Sequence, residues 1–130
     1  MEFHLIENGV RTNLAFGELN ISGNEDDGYR PFELMVASVV GCSASVFRKI
    51  LDKKRITIED LKILAEVKRA SEEANKITDI HLVFAVKGEQ LSKEQLEKSL
   101  AVARKNCSMI RTIEDAVNIT EKLELISLSK

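Results

Sequence analysis

The chain has little that would tie it to a secreted, metal-binding or nucleic-acid-binding class. Two cysteines in 130 residues are too few for a secreted disulfide scaffold. Together with His4 and His81 they are too scattered for a zinc site. The net charge of −2 gives no basic surface for nucleic acid. The opening MEFHLIENGV lacks the basic start and apolar core of a signal peptide. The most apolar stretch is broken by small and polar residues and reads as shorter than a membrane span. There is no internal repeat and no low-complexity tract. What remains is an ordinary composition, 44% hydrophobic and 31% charged. It is expected to form a single domain over residues 1–130, cytoplasmic, with thiols that are free or redox-active.

The stretch that organises the chain runs from Arg30 to Arg55, RPFELMVASVVGCSASVFRKILDKKR. Pro31 suits the first helical position, and the basic cluster at the far end suits a helix C-terminus. Leu34, Met35, Val36, Val39, Val40, Val46, Phe47, Ile50 and Leu51 leave almost no polar face, which predicts a buried helix. Small residues surround Cys42 at its centre.

Residues 2–21 read as a short β-meander, with Asn8-Gly9 as a positive-φ hairpin turn. Ser22–Tyr29 is a polar loop before the helix. Beyond the helix, Leu61, Ile63, Ala65 and Val67 alternate with polar residues, and so do Ile80, Leu82, Phe84 and Val86. Two such runs joined by the polar turn Ala70–Lys76 predict an antiparallel hairpin with His81 and Asp79 on its outer side. Ser92 and Gln95 form a capping-box pattern that starts a second helix, with Leu91 set to staple onto Leu96. Leu96, Leu100, Ala103 and Cys107 recur at helical spacing, placing the second thiol near that helix's C-terminal end. A short helical segment over 109–115 and a strand over 117–125 close the chain. The order is β-β-β-α-β-β-α-β.

Two core cysteines need no function, since free cysteine is among the most buried residue types. Their setting nevertheless allows peroxide chemistry. A thiolate that attacks a peroxide becomes a sulfenic acid, which a second thiol converts to a disulfide. The attacker needs a lowered pKa. A helix C-terminus disfavours a thiolate at Cys107, and mid-helix Cys42 gains little from the dipole, so Cys42 needs a cationic neighbour. This favours Cys42 as attacker and Cys107 as resolver. Neither histidine sits in a hydrolase-like setting.

The P-F-E-L-x-x-x-S-x-x-G-C run from Pro31 to Cys42 and A-R-K-N-C-S-M-I from Ala103 to Ile110 resemble the OsmC/Ohr family of organic-hydroperoxide reductases. The resemblance implies an α+β fold with antiparallel sheets, a long buried central helix and an intertwined homodimer with active sites at the subunit interface. It implies Cys42 as the peroxidatic thiol, Cys107 as the resolving one, and an organic hydroperoxide as substrate. A dithiol such as dihydrolipoamide would be the reductant, with no metal or bound cofactor. Two positions depart from the family pattern. The usual Glu directly after the proline is Phe32 here, and the acid comes one residue later at Glu33. Nine residues at about 100° each put Glu33 about half a turn from Cys42. Arg11, just past the first hairpin turn, is the counterpart of the family arginine; Arg30 is the runner-up. The alternatives are a non-catalytic dimer that senses redox state or binds a small apolar ligand, and a structural dimer whose cysteines merely pack.

Overall fold

The computed structural model describes residues 1–127, which gather into two compact units, Met1–Ala37 and Ser38 onward. The first carries a three-stranded antiparallel sheet of β1 (Phe3–Ile6), β2 (Gly9–Asn13) and β3 (Glu18–Ile21). The hairpin falls one residue earlier than the sequence suggests. Ile6 pairs with Gly9, so Glu7 and Asn8 make the turn, and neither Asn8 nor Gly9 has positive φ. Gly9 is needed for a different reason: a Cβ there would lie 2.1 Å from the Ile21 carbonyl oxygen on β3.

The long helix α1 spans Pro31–Lys53. It ends in a two-bond reversal, Arg55 N–H to Asp52 O at 3.0 Å and Ile56 N–H to Leu51 O at 2.9 Å. Arg55 takes φ of 56° there, the left-handed position at which glycine is the usual occupant. Only one stripe, Val39, Ser43, Phe47 and Leu51, is fully buried within the chain. Within the single chain the four-residue spacing turns this face inward and leaves Gly41 and Ser45 exposed. At 23 residues the helix is also long and apolar enough to cross a bilayer, contrary to the reading of its broken apolar run. Its buried stripe is committed to the chain's own core.

That core lies in the second unit. Strand β4 (Asp60–Ala70) pairs antiparallel with β5 (Lys76–Gly88), as the two alternating runs require. Ile80, Leu82, Phe84 and Val86 are fully buried on one face of β5. Phe84 meets Phe47 of α1 edge-on, ring centroids 5.7 Å apart. His81 lies on the other face, where Nδ1 bonds Thr120 Oγ1 at 2.6 Å.

Helix α2 (Lys93–Lys105) starts at Ser92, whose hydroxyl accepts from the Gln95 N–H at 3.2 Å. It buries Leu96, Leu100 and Ala103. Then come α3 (Ser108–Ile113), the short helical segment expected over 109–115, left out of the order of elements, and β6 (Asn118–Ser127). One pairing is not antiparallel: β6 runs parallel to β5, because α2 and α3 carry the chain back across the sheet.

Candidate functional site

The second unit brings the two thiols together. Cys42 sits mid-way along α1, partly exposed, while Cys107 is fully buried, and both are free. The sequence spacing placed Cys107 on the last turn of the second helix, and the structure corrects this. Asn106 stops α2, its side-chain amide donating to Val102 O at 2.9 Å and its N–H to Ala103 O at 3.1 Å. Cys107 is therefore extended, with φ −86° and ψ 111°, and caps the start of α3. The side chain still follows the inward row of Leu100 and Ala103, so its burial was legible although its backbone state was not.

This changes the electrostatics. The Cys42 thiol faces the opening residues of α3, with Sγ 3.6 Å from Ser108 Oγ. Its pKa is drawn down to about 7, first by the Met109 backbone amide and next by the Ser108 hydroxyl. Burial opposes the shift, and smaller contributions from the Cys107 thiol and the Ser108 amide support it. All of these groups are neutral hydrogen-bond donors. The expected need for a cationic neighbour is thereby corrected: amides and a hydroxyl favour the charged form through hydrogen bonds. Cys107 moves the other way. Burial raises it first, and contact with Cys42 raises it further, against the Ile110 amide.

The remaining candidates lie in the first unit. Arg11 is held by residues on the adjoining strand, with Nε donating to Asn20 Oδ1 at 2.7 Å and paired with Glu18. The Arg30 guanidinium stacks 4.8 Å from the centroid of Phe32. Glu33 is exposed and, with Glu18, Asn20 and Tyr29, lines an open cleft. Among the described residues no three His, Cys, Asp or Glu side chains cluster as a metal site would require.

Two residues near the thiols carry little signal in the sequence. Ser108 stands within the A-R-K-N-C-S-M-I run, where nothing local signals a contact to a residue 66 positions away. Glu121 lies beside the site, its carboxylate accepting from Ser43 Oγ at 3.4 Å. Its signal was present as an acid interrupting the apolar row Ile119, Leu123, Leu125 of the last strand.

Known proteins resemble this chain in sequence and in fold. The protein YhfA of Escherichia coli K12 is 30% identical over 112 residues, covering 85% of this chain and 84% of YhfA. A hypothetical protein from Aquifex aeolicus VF5 superposes with a TM-score of 0.87 at 22% identity, over 98% of this chain and 96% of its own. An organic hydroperoxide resistance protein OsmC from Legionella pneumophila superposes with a TM-score of 0.73 at 19% identity, over 95% and 93%. The family model described as OsmC-like protein matches residues 23–122, and the chain belongs to that family.

Proposed function

We propose that this protein is a thiol-dependent peroxidase that reduces organic hydroperoxides through a Cys42–Cys107 disulfide. The observation that carries the reading is the paired asymmetry of the thiols. Cys42 is acidic and partly exposed, and it contacts a buried Cys107 whose proton is held more tightly. The Cys42 thiolate attacks the outer oxygen of the hydroperoxide, the O–O bond breaks, and the alcohol leaves after taking up a proton. Cys42 is then a sulfenic acid. Cys107 sulfur attacks it, water leaves, and the disulfide closes. A dithiol of the dihydrolipoamide type returns two electrons and two protons by thiol–disulfide exchange.

The working form in this reading is a homodimer in the cytoplasm. Val40 and Ala44 of α1 face Ile58, Leu61 and Ile63 across an open groove of about 530 Å³ that Arg48, Glu59 and Asp60 also line. A second copy of the chain is the occupant that suits such a surface. Arg11 remains a candidate through the family resemblance. Arg11→Gln that slows peroxide consumption without moving the Cys42 titration would assign it to handling the peroxide.

The test is a free-thiol count with intact mass, before and after one equivalent of cumene hydroperoxide, with sedimentation velocity for the oligomeric state. Loss of both thiols within one chain, absent in Cys42→Ser, is expected. Two thiols surviving unchanged would sink the peroxidase reading and turn attention to the groove as a site for a small apolar ligand.

A further inference from the structure

Glu121 occupies a position that the alternation of β6 assigns to an apolar side chain. Ile119 and Leu123, on either side in the same row, are each 4% exposed, and Leu82, its register partner on β5, is fully buried. Burial raises the Glu121 carboxyl above its usual range, against the Arg104 charge and the Ser43 hydroxyl. An acid in such a row costs stability unless its partners compensate. Where a sequence breaks its own pattern at such a cost, the residue is commonly one that serves the site.

Its partners point to that site. Ser43, fully buried, donates to Glu121 Oε2 at 3.4 Å and directly follows Cys42 in α1. Arg104, whose charge acts on the same carboxylate, lies in the last turn of α2, three residues before Cys107. One side chain on β6 thus bonds α1 beside Cys42 and acts by charge on the last turn of α2, just ahead of Cys107. Ser43 is long-bonded but has no exposure to water, so its hydroxyl depends on this acceptor.

We infer that Glu121 is a positioning residue for the thiol pair, its carboxylate tying α1 at Ser43 to β6 beside the last turn of α2 and so holding Cys42 against Cys107. The purpose of this brace rests on the thiol-pair reading above, but its measurement does not need peroxide turnover. Holding two thiols together raises their effective concentration for each other and so favours the disulfide.

The experiment equilibrates the intact protein with mixtures of reduced and oxidised glutathione and quantifies the Cys42–Cys107 disulfide by mass. Oxidised glutathione is the oxidant: two thiols lose two electrons and two protons, and two glutathione thiols form. Glu121→Leu and Ser43→Ala are expected to weaken the disulfide equilibrium about tenfold, a potential about 30 mV more oxidising. Glu121→Gln keeps an oxygen acceptor for Ser43 and is expected to retain most of the wild-type value. Thermal unfolding of the reduced Glu121→Leu variant should stay level or rise, because leucine replaces a buried acid. A lowered melting temperature with an unchanged disulfide equilibrium would mark Glu121 as purely structural and overturn the inference. If Glu121→Leu does not fold, Ser43→Ala decides, and a wild-type value there overturns it as well. A wild-type protein that forms no disulfide with glutathione also overturns it. One that forms the disulfide but ignores hydroperoxide leaves the brace standing and removes only the peroxidase reading.

Discussion

Replacing Ser108 with alanine removes a neutral donor from the Cys42 sulfur and leaves the Met109 amide in place. A hydrogen bond to a charged group is worth about 1.5–3 kcal/mol, and one pKa unit corresponds to about 1.4 kcal/mol. Ser108 is exposed and ranks second among the groups that lower the thiol, so about one unit is the expected rise. Starting from about 7, the thiolate fraction at neutral pH falls from about one half to about one tenth. A more basic thiolate is also a better nucleophile. With a Brønsted slope of about 0.4–0.5, the ionised form reacts about threefold faster for one added unit. The two effects nearly cancel at pH 7, leaving about a twofold drop, while above pH 9 the variant should react about threefold faster than wild type. A rate at one pH is therefore a poor test. The assay is the full pH profile of iodoacetamide alkylation at Cys42, resolved by peptide mass. Crossing curves with a displaced midpoint are expected. Superimposed profiles in a folded Ser108→Ala protein would refute the Ser108 hydroxyl as a source of the acidity.

The same midpoint predicts that peroxide-driven loss of thiols in the wild type climbs as pH rises through about 7, measured by stopped thiol counts across pH 5–9. Arg55→Gly should stabilise the fold by about 1 kcal/mol, read from urea unfolding, since it relieves a left-handed residue at the end of α1. Gly9→Ala should destabilise measurably in the same assay, because the added Cβ meets the Ile21 carbonyl oxygen of the neighbouring strand. Glu121 has a raised folded pKa, so the folded state holds its proton at pH values where the unfolded chain has released it. Stability then falls as pH rises from the unfolded carboxyl pKa through the folded one and stays lower above it. Glu121→Gln should remove that loss, gaining stability over wild type near pH 7 but not near pH 3 in parallel unfolding curves.

Alternation made the β4–β5 hairpin legible because its pattern repeats over many residues and a one-residue slip would expose Ile80, Leu82, Phe84 and Val86 together. The helix starts at Pro31 and Ser92 were legible because each rests on local chemistry. Gly9 was misread because a glycine can mark positive φ or a close backbone approach, and the sequence does not distinguish them. The end of α2 was misread for a related reason. The apolar spacing continues through Cys107 even though Asn106 has already taken over the helix's last carbonyls. Periodicity reports which way a side chain points, and it pointed correctly; it does not report where hydrogen bonding stops. The donors to Cys42 depended on that missing stop, because only an α2 that ends at Lys105 frees Ser108 and Met109 to begin a new helix against it.

That stop also accounts for how one contact separates the two thiols. Had α2 run on through Cys107, carbonyl oxygens would have faced Cys42, and a thiolate there would have been disfavoured. With α2 ended at Asn106, amide N–H groups and the Ser108 hydroxyl face it instead. The Cys107 thiol joins them as a donor, which lowers Cys42 and raises Cys107 through the same hydrogen bond. A proton shared between two otherwise similar groups thereby acquires a fixed owner. Cys107 keeps it while Cys42 ionises. Burial adds to the separation, since Cys107 is closed to solvent and Cys42 is not. In the proposed reaction this division sets the order: an external electrophile would meet the ionised, accessible sulfur first, and the protonated, enclosed sulfur would then react with what forms there.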